Sequence, residues 1–86
     1  MQGAPMSTPD ISITDDMIRL GQFLKLASLA ESGAQARELL EAGEVSVNGE
    51  QEVRRGRQLH HGDVVEVDLP HGRHTARVVT SKTSQL

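Results

Sequence analysis

At Gly43 the spacing of the apolar residues changes, and that change limits what the chain can fold into. Before it, Leu20, Leu24 and Ala27 recur at i, i+4 and i+7. Phe23 and Leu26 widen this stripe, while Arg19, Gln22 and Lys25 take other faces, the pattern of an amphipathic helix packed on one side. Thr14, Asp15 and Asp16 offer N-cap oxygens and negative charge to a helix starting near Met17. Glu31-Ser32-Gly33 interrupts it, and Ser32 followed three residues later by Gln35 forms a capping box for a second helix. That helix buries Ala36, Leu39 and Leu40, sets Arg37 and Glu41 at i, i+4 on its solvent side, and ends where Gly43 takes a left-handed conformation.

After Gly43 the period is two. Val45 and Val47 point one way and Ser46 the other, Asn48-Gly49 signals a hairpin, and Val53 falls on the return strand. Arg54-Arg55-Gly56-Arg57 has no apolar alternation and reads as a loop anchored by Leu59. Val64, Val65, Val67 and Leu69 make a further strand, and Pro70-His71-Gly72 turns the chain into a last one holding Ala76, Val78 and Val79. A short strand at Ile11 and Ile13 precedes the helices. The order predicts an α+β fold, with two short helices packed on one face of a small, mostly antiparallel sheet. Residues 1–10, with Pro5 and Pro9, read as a flexible leader, 11–79 as one domain, and 80–86 as a polar tail.

Composition removes several classes of function. At 86 residues there is room for one small domain. The absence of Cys excludes a disulfide frame, a thiolate zinc site and a thiol nucleophile, and it fits a reducing cytoplasm. No apolar run approaches the roughly 20 residues that span a bilayer, so no membrane association is expected. Phe23 is the single aromatic residue, which excludes the stacking platforms that hold splayed bases. Nucleic acid could be bound here only through phosphates, backbone and shape. The net charge of -3 is unevenly divided: residues 1–52 carry three basic side chains against nine acidic, a net of -6, and residues 53–86 carry six against three, a net of +3. Such asymmetry points to a polyanion-facing surface in the second half.

The sharpest local feature is Arg54-Arg55-Gly56-Arg57, with no acid between Glu52 and Asp63. A guanidinium donates two parallel hydrogen bonds to phosphate oxygens and stays charged at any cellular pH. The competing reading is a solvated turn whose arginines pair with Glu50 and Glu52. Ser32-Gly33-Ala34 exposes free N–H groups at a helix start, where a phosphate could approach across Gly33 or where the cap and water suffice. Lys25 and Arg37 are either solvated helix positions or contacts, depending on whether they converge with the loop. His71 and His74 have the i, i+3 spacing of a metal pair but straddle a turn, and no Cys joins them. No nucleophile with its base, no Walker loop and no carboxylate pair is present, so the chain reads as non-catalytic and cofactor-free.

Four blocks occur in one order: Arg19-Leu20-Gly21-Gln22-Phe23-Leu24-Lys25-Leu26, Ser32-Gly33-Ala34-Gln35-Ala36, Gly43 to Gly49, and Arg54 to Leu59. Over about residues 11–79 they resemble the S-four-type, or alpha-L, RNA-binding domain, and most of all its small stand-alone bacterial members. The resemblance implies an RNA-facing surface formed by the two helices and the following β-loop. It would contain Arg19 and Lys25 on the first helix, Ser32, Gly33 and Arg37 at and on the second, and Arg54, Arg55 and Arg57 in the loop. Two positions depart from the wider superfamily, which commonly has Asp where this chain has Gly21 and Arg where it has Gly33. The missing arginine would move the electrostatic emphasis onto the loop.

The expectation is therefore a cytoplasmic, monomeric protein that grips the phosphate backbone of structured RNA, ribosomal or transfer. The alternative is a protein-interaction module that docks on the ribosome or an RNA enzyme through the acidic face of Glu31, Glu38, Glu41 and Glu44.

Overall fold

The computed structural model describes residues 8–80. Among them the elements are β1 (Asp10–Ile13), β2 (Met17–Arg19), α1 (Leu20–Leu26), α2 (Gly33–Glu41), β3 (Val45–Val47), β4 (Glu50–Gln51), β5 (Gln58–His60), β6 (Val64–Leu69) and β7 (Gly72–Thr80). Five strands form one sheet in the order β1-β7-β6-β3-β4, and β2 pairs with β5 beside it. The pairings are antiparallel except that β1 runs parallel to β7, with Asp10 opposite Arg77 and Ile13 opposite Thr80. Two helices with a mostly antiparallel sheet make the α+β fold read from the sequence.

The core follows from the two periods. Val47, Val65 and Ala76 stand in one cross-strand row, Val45 faces Val67 in the next, and all five are buried. Against them lie Leu20, Phe23 and Leu24 from α1, Ala36 and Leu40 from α2, and Leu59 from β5. Burial of these side chains is the main driving force for folding.

Helix α2 forms as its local signals dictate. The Ser32 hydroxyl accepts from the Gln35 N–H at 3.1 Å, while the Gln35 amide oxygen reaches back to the N–H of Glu31, one residue before the usual capping-box target. At the other end Glu44 N–H donates to Leu39 C=O and Gly43 N–H to Leu40 C=O, a Schellman pair. Gly43 has φ +77°, the left-handed conformation that favours glycine, and a Cβ there would displace the Gln51 amide from its bond to the Gly43 carbonyl. Asn48 and Gly49, at φ 52° and 87°, make the tight β3–β4 turn.

Four expectations need correction. The chain from Met17 to Arg19 is a strand, not the first turn of a helix, because Ile18 finds Leu59 opposite it and tertiary pairing overrides the local cap signal of Thr14, Asp15 and Asp16. Leu26 is 51% exposed rather than part of the buried stripe, since α1 is seven residues long and its inward face ends with Leu24. Val53 lies beyond the return strand, which ends at Gln51, and is exposed. Thr80 belongs to β7, and Asp10 already belongs to β1, where its carboxylate pairs with Arg77 at 3.2 Å. The remainder of the expected leader and tail, residues 1–7 and 81–86, falls outside the described residues. No helix among the described residues is long and apolar enough to cross a membrane.

Candidate nucleic-acid interface

Helix α1 has no side-chain cap, and Arg19 sits at its N-cap position. Its first free donors are satisfied by the arginine loop instead. Leu20 N–H donates to Arg57 C=O at 2.8 Å and Gly21 N–H to Arg55 C=O at 2.9 Å. The Arg19 guanidinium donates to Gly56 C=O at 3.1 Å. Three consecutive loop carbonyls thus face the start of α1. A Cβ on Gly21 would lie 3.5 Å from the Arg55 Cβ, so the loop passes close over the helix.

The loop is held from its other side by Glu52, the buried charged residue of the core boundary. Its backbone N–H donates to Val45 C=O, which draws the residue in beside β3. One carboxylate oxygen accepts from the N–H groups of Val53 and Arg54 at 3.0 Å and from Arg54 Nε at 3.1 Å. The other accepts from Arg54 Nη2 at 3.1 Å and Arg57 Nη1 at 3.0 Å. The two guanidiniums differ in their surroundings, the Arg54 side chain being 72% exposed and that of Arg57 29%. Of the alternatives for the loop's ion pairs, Glu52 is the partner observed. The Arg54 hydrogen bonds lower the Glu52 pKa to about 2 from its ordinary 4.5.

A carboxylate held below its ordinary pKa stabilises the fold above that ordinary value and loses the contribution as pH falls toward 2. Taken whole, the shift corresponds to about 3 kcal/mol, and solvent around the exposed Arg54 reduces the expectation to about 1–2 kcal/mol. Glu52→Gln should lower stability by that amount at pH 7 and flatten the decline between about pH 5 and 2. Urea unfolding followed by circular dichroism at several pH values checks both.

Between the loop and the helices lies a groove of ≈ 500 Å³ lined by Arg19, Gly21, Gln22, Lys25, Gly33, Ala36, Arg55 and Gly56. Four of the residues singled out in the sequence, Arg19, Lys25, Gly33 and Arg55, therefore meet on one surface. Lys25 and Arg55 carry no ion pair among the described residues. Nothing lies within 4 Å of where a Gly33 Cβ would stand, so the first turn of α2 is open to the groove. Ser32 stays behind as the cap, and Arg37 points along its own helix to Glu41 at 3.2 Å. Arg54 and Arg57 border a separate depression with Gly56 and Gln58. Sequence reasoning missed Gln22 and the closely packed Gly21, for which the Gly-Gln pair after Arg19-Leu20 was the available signal.

Other sites are less suited to an anion. A second groove, beside α2, carries Glu38, Glu44 and Asp68. His71 and His74 pack edge to face with ring centroids 5.0 Å apart. Among the described residues no three His, Cys, Asp or Glu side chains are placed to hold a metal ion.

Comparison with known proteins agrees with the geometry. A family model described as "S4 domain" matches residues 11–78. Over 63 residues the chain is 54% identical to the "Probable ribosome maturation protein RlbA" of Bacillus subtilis (strain 168), covering 73% of this chain and 87% of that protein. With the match running from β1 into β7, across both helices and the arginine loop, the chain belongs to the S4 domain family.

Proposed function

We propose that the protein is a non-catalytic RNA-binding protein that grips the phosphate backbone of structured RNA in the groove between α1, α2 and the arginine loop. The observation that carries this reading is the convergence of Arg19, Lys25 and Arg55 around the open first turn of α2. Three cations and a helix N-terminus match the charge of about three adjacent phosphates. With no aromatic side chain lining the groove to stack a base, the surface reads backbone and shape, which favours folded RNA over single strands. The Bacillus relative's name, which speaks of ribosome maturation, supports ribosomal RNA as the target ahead of transfer RNA and the cytoplasm as the place of action. The protein acts there as a monomer.

Binding through about three phosphates gives log affinity a slope near -3 against log salt. Fluorescence anisotropy with a structured ribosomal RNA fragment and a matched single strand, at several salt concentrations, tests this. A slope near zero would contradict a phosphate grip. Absence of binding to either RNA at low salt would turn the search toward a protein partner for the acidic groove of Glu38, Glu44 and Asp68.

A further inference from the structure

The three loop arginines look equivalent in the sequence, and Glu52 makes them unequal. We propose that Glu52 is the positioning residue of the interface: it keeps Arg54 and Arg57 out of phosphate binding and leaves Arg55 as the loop's one phosphate-reading guanidinium. This rests on the RNA-binding reading above.

The argument is geometric. Glu52 takes the Nε and Nη2 donors of Arg54 together, one of the edges with which a guanidinium grips a phosphate bidentately, and it takes Nη1 of Arg57. The Glu52 side chain is 8% exposed, and its carboxylate is held in place by the N–H groups of Val53 and Arg54 as well as by the two guanidiniums. A phosphate that captured Arg54 would strip this buried carboxylate of two of its five hydrogen bonds and leave Arg57 as its one cationic partner, an outcome disfavoured in a protein interior. Arg55 is held differently. Its carbonyl is bound to Gly21, its Cβ packs over that glycine, and its side chain lines the groove with Arg19 and Lys25. The loop's backbone is thus clamped between an acid and a helix start, and one guanidinium projects from it toward the other groove cations. The consequence is selectivity: a loop with three available arginines would bind any polyanion, whereas one directed arginine requires a phosphate at a particular place.

The test compares wild type, Arg54→Gln, Arg55→Gln, Arg57→Gln and Glu52→Gln by anisotropy against the structured ribosomal fragment and the single strand across a salt series. Arg55→Gln should reduce the salt slope by about 0.9, the value of one phosphate, and Arg54→Gln and Arg57→Gln by less than half of that. Glu52→Gln should steepen the slope by about 0.9 or more and narrow the preference for structured RNA over the single strand. Should Glu52→Gln, Arg54→Gln or Arg57→Gln fail to fold, Arg55→Gln, whose side chain makes no contact with Glu52, and NMR of the wild type decide the matter. Arginine side-chain NMR adds a direct reading: the Arg54 Nε–H of the free wild type should exchange slowly, and RNA should shift the Arg55 signal and not that of Arg54. Equal loss of slope in all three arginine variants, or RNA-induced shifts at Arg54 equal to those at Arg55, overturns the proposal while leaving RNA binding intact. No binding by wild type overturns the functional reading, and the proposal with it.

Discussion

Arg55→Glu should lower affinity for structured RNA by about 100-fold, from loss of charge-assisted hydrogen bonds to phosphate worth about 1.5–3 kcal/mol and from the repulsion of a carboxylate in their place. The fold should survive, because the link from the loop to α1 runs through the Arg55 carbonyl and not its side chain. Arg73→Glu serves as the comparison. Arg73 carries the same charge but pairs with Asp68 at 3.0 Å in the β6–β7 hairpin and does not line the groove. Its reversal should change affinity by less than about 3-fold, since Arg73 is exposed outside the groove and distant charge is screened by salt. Anisotropy titrations of both variants at one salt concentration give the comparison, and equal losses would remove the groove's special status.

The largest effect on stability should come from Phe23→Ala. This ring is fully buried in the middle of α1, between the flanking Leu20 and Leu24 and the rest of the core. Truncating a buried Phe costs about 3–5 kcal/mol through lost transfer free energy and the cavity left behind. A domain of this length holds only about 5–10 kcal/mol in all, so the melting temperature should fall by roughly 15–30 °C. Val53→Ala, at an exposed position, should stay within about 0.5 kcal/mol of wild type. Thermal melts followed by far-UV circular dichroism separate the two, and a loss below about 1 kcal/mol for Phe23→Ala would contradict its place in the core. The same variant should lose RNA binding on warming in step with its unfolding, unlike Arg55→Glu, which lacks it while folded.

What could be read from the sequence was what neighbouring residues decide among themselves. Ser32 and Gln35, Gly43, and Asn48-Gly49 act within a few positions of one another, and each formed the cap, stop or turn that its chemistry demands. The strand at Met17–Arg19 was not legible, because what makes it a strand is Leu59, forty-one residues further on. The gathering of Arg19, Lys25, Gly33 and Arg55 likewise depends on where the loop lands. That landing is set by free N–H groups at the start of α1, which a helix begun at Met17 would have placed elsewhere. The inequality of the arginines depends on the burial of Glu52, which follows from pairing with Val45, whereas the local charge pattern offers Glu50 and Glu52 as equal partners.

The parallel pairing of β1 with β7 has a bearing on how the protein is made. Residues 10 and 77 are direct partners, and β7 also holds β6 against the core, so the first strand to leave the ribosome has no seat in the sheet until the last one follows it. Contacts of such long sequence separation are closed late and slowly. The helices and the hairpin of β3 and β4 can begin to form during translation, but the sheet is completed only once residue 80 has emerged. The scaffold behind the binding groove is therefore the last part of the domain to close.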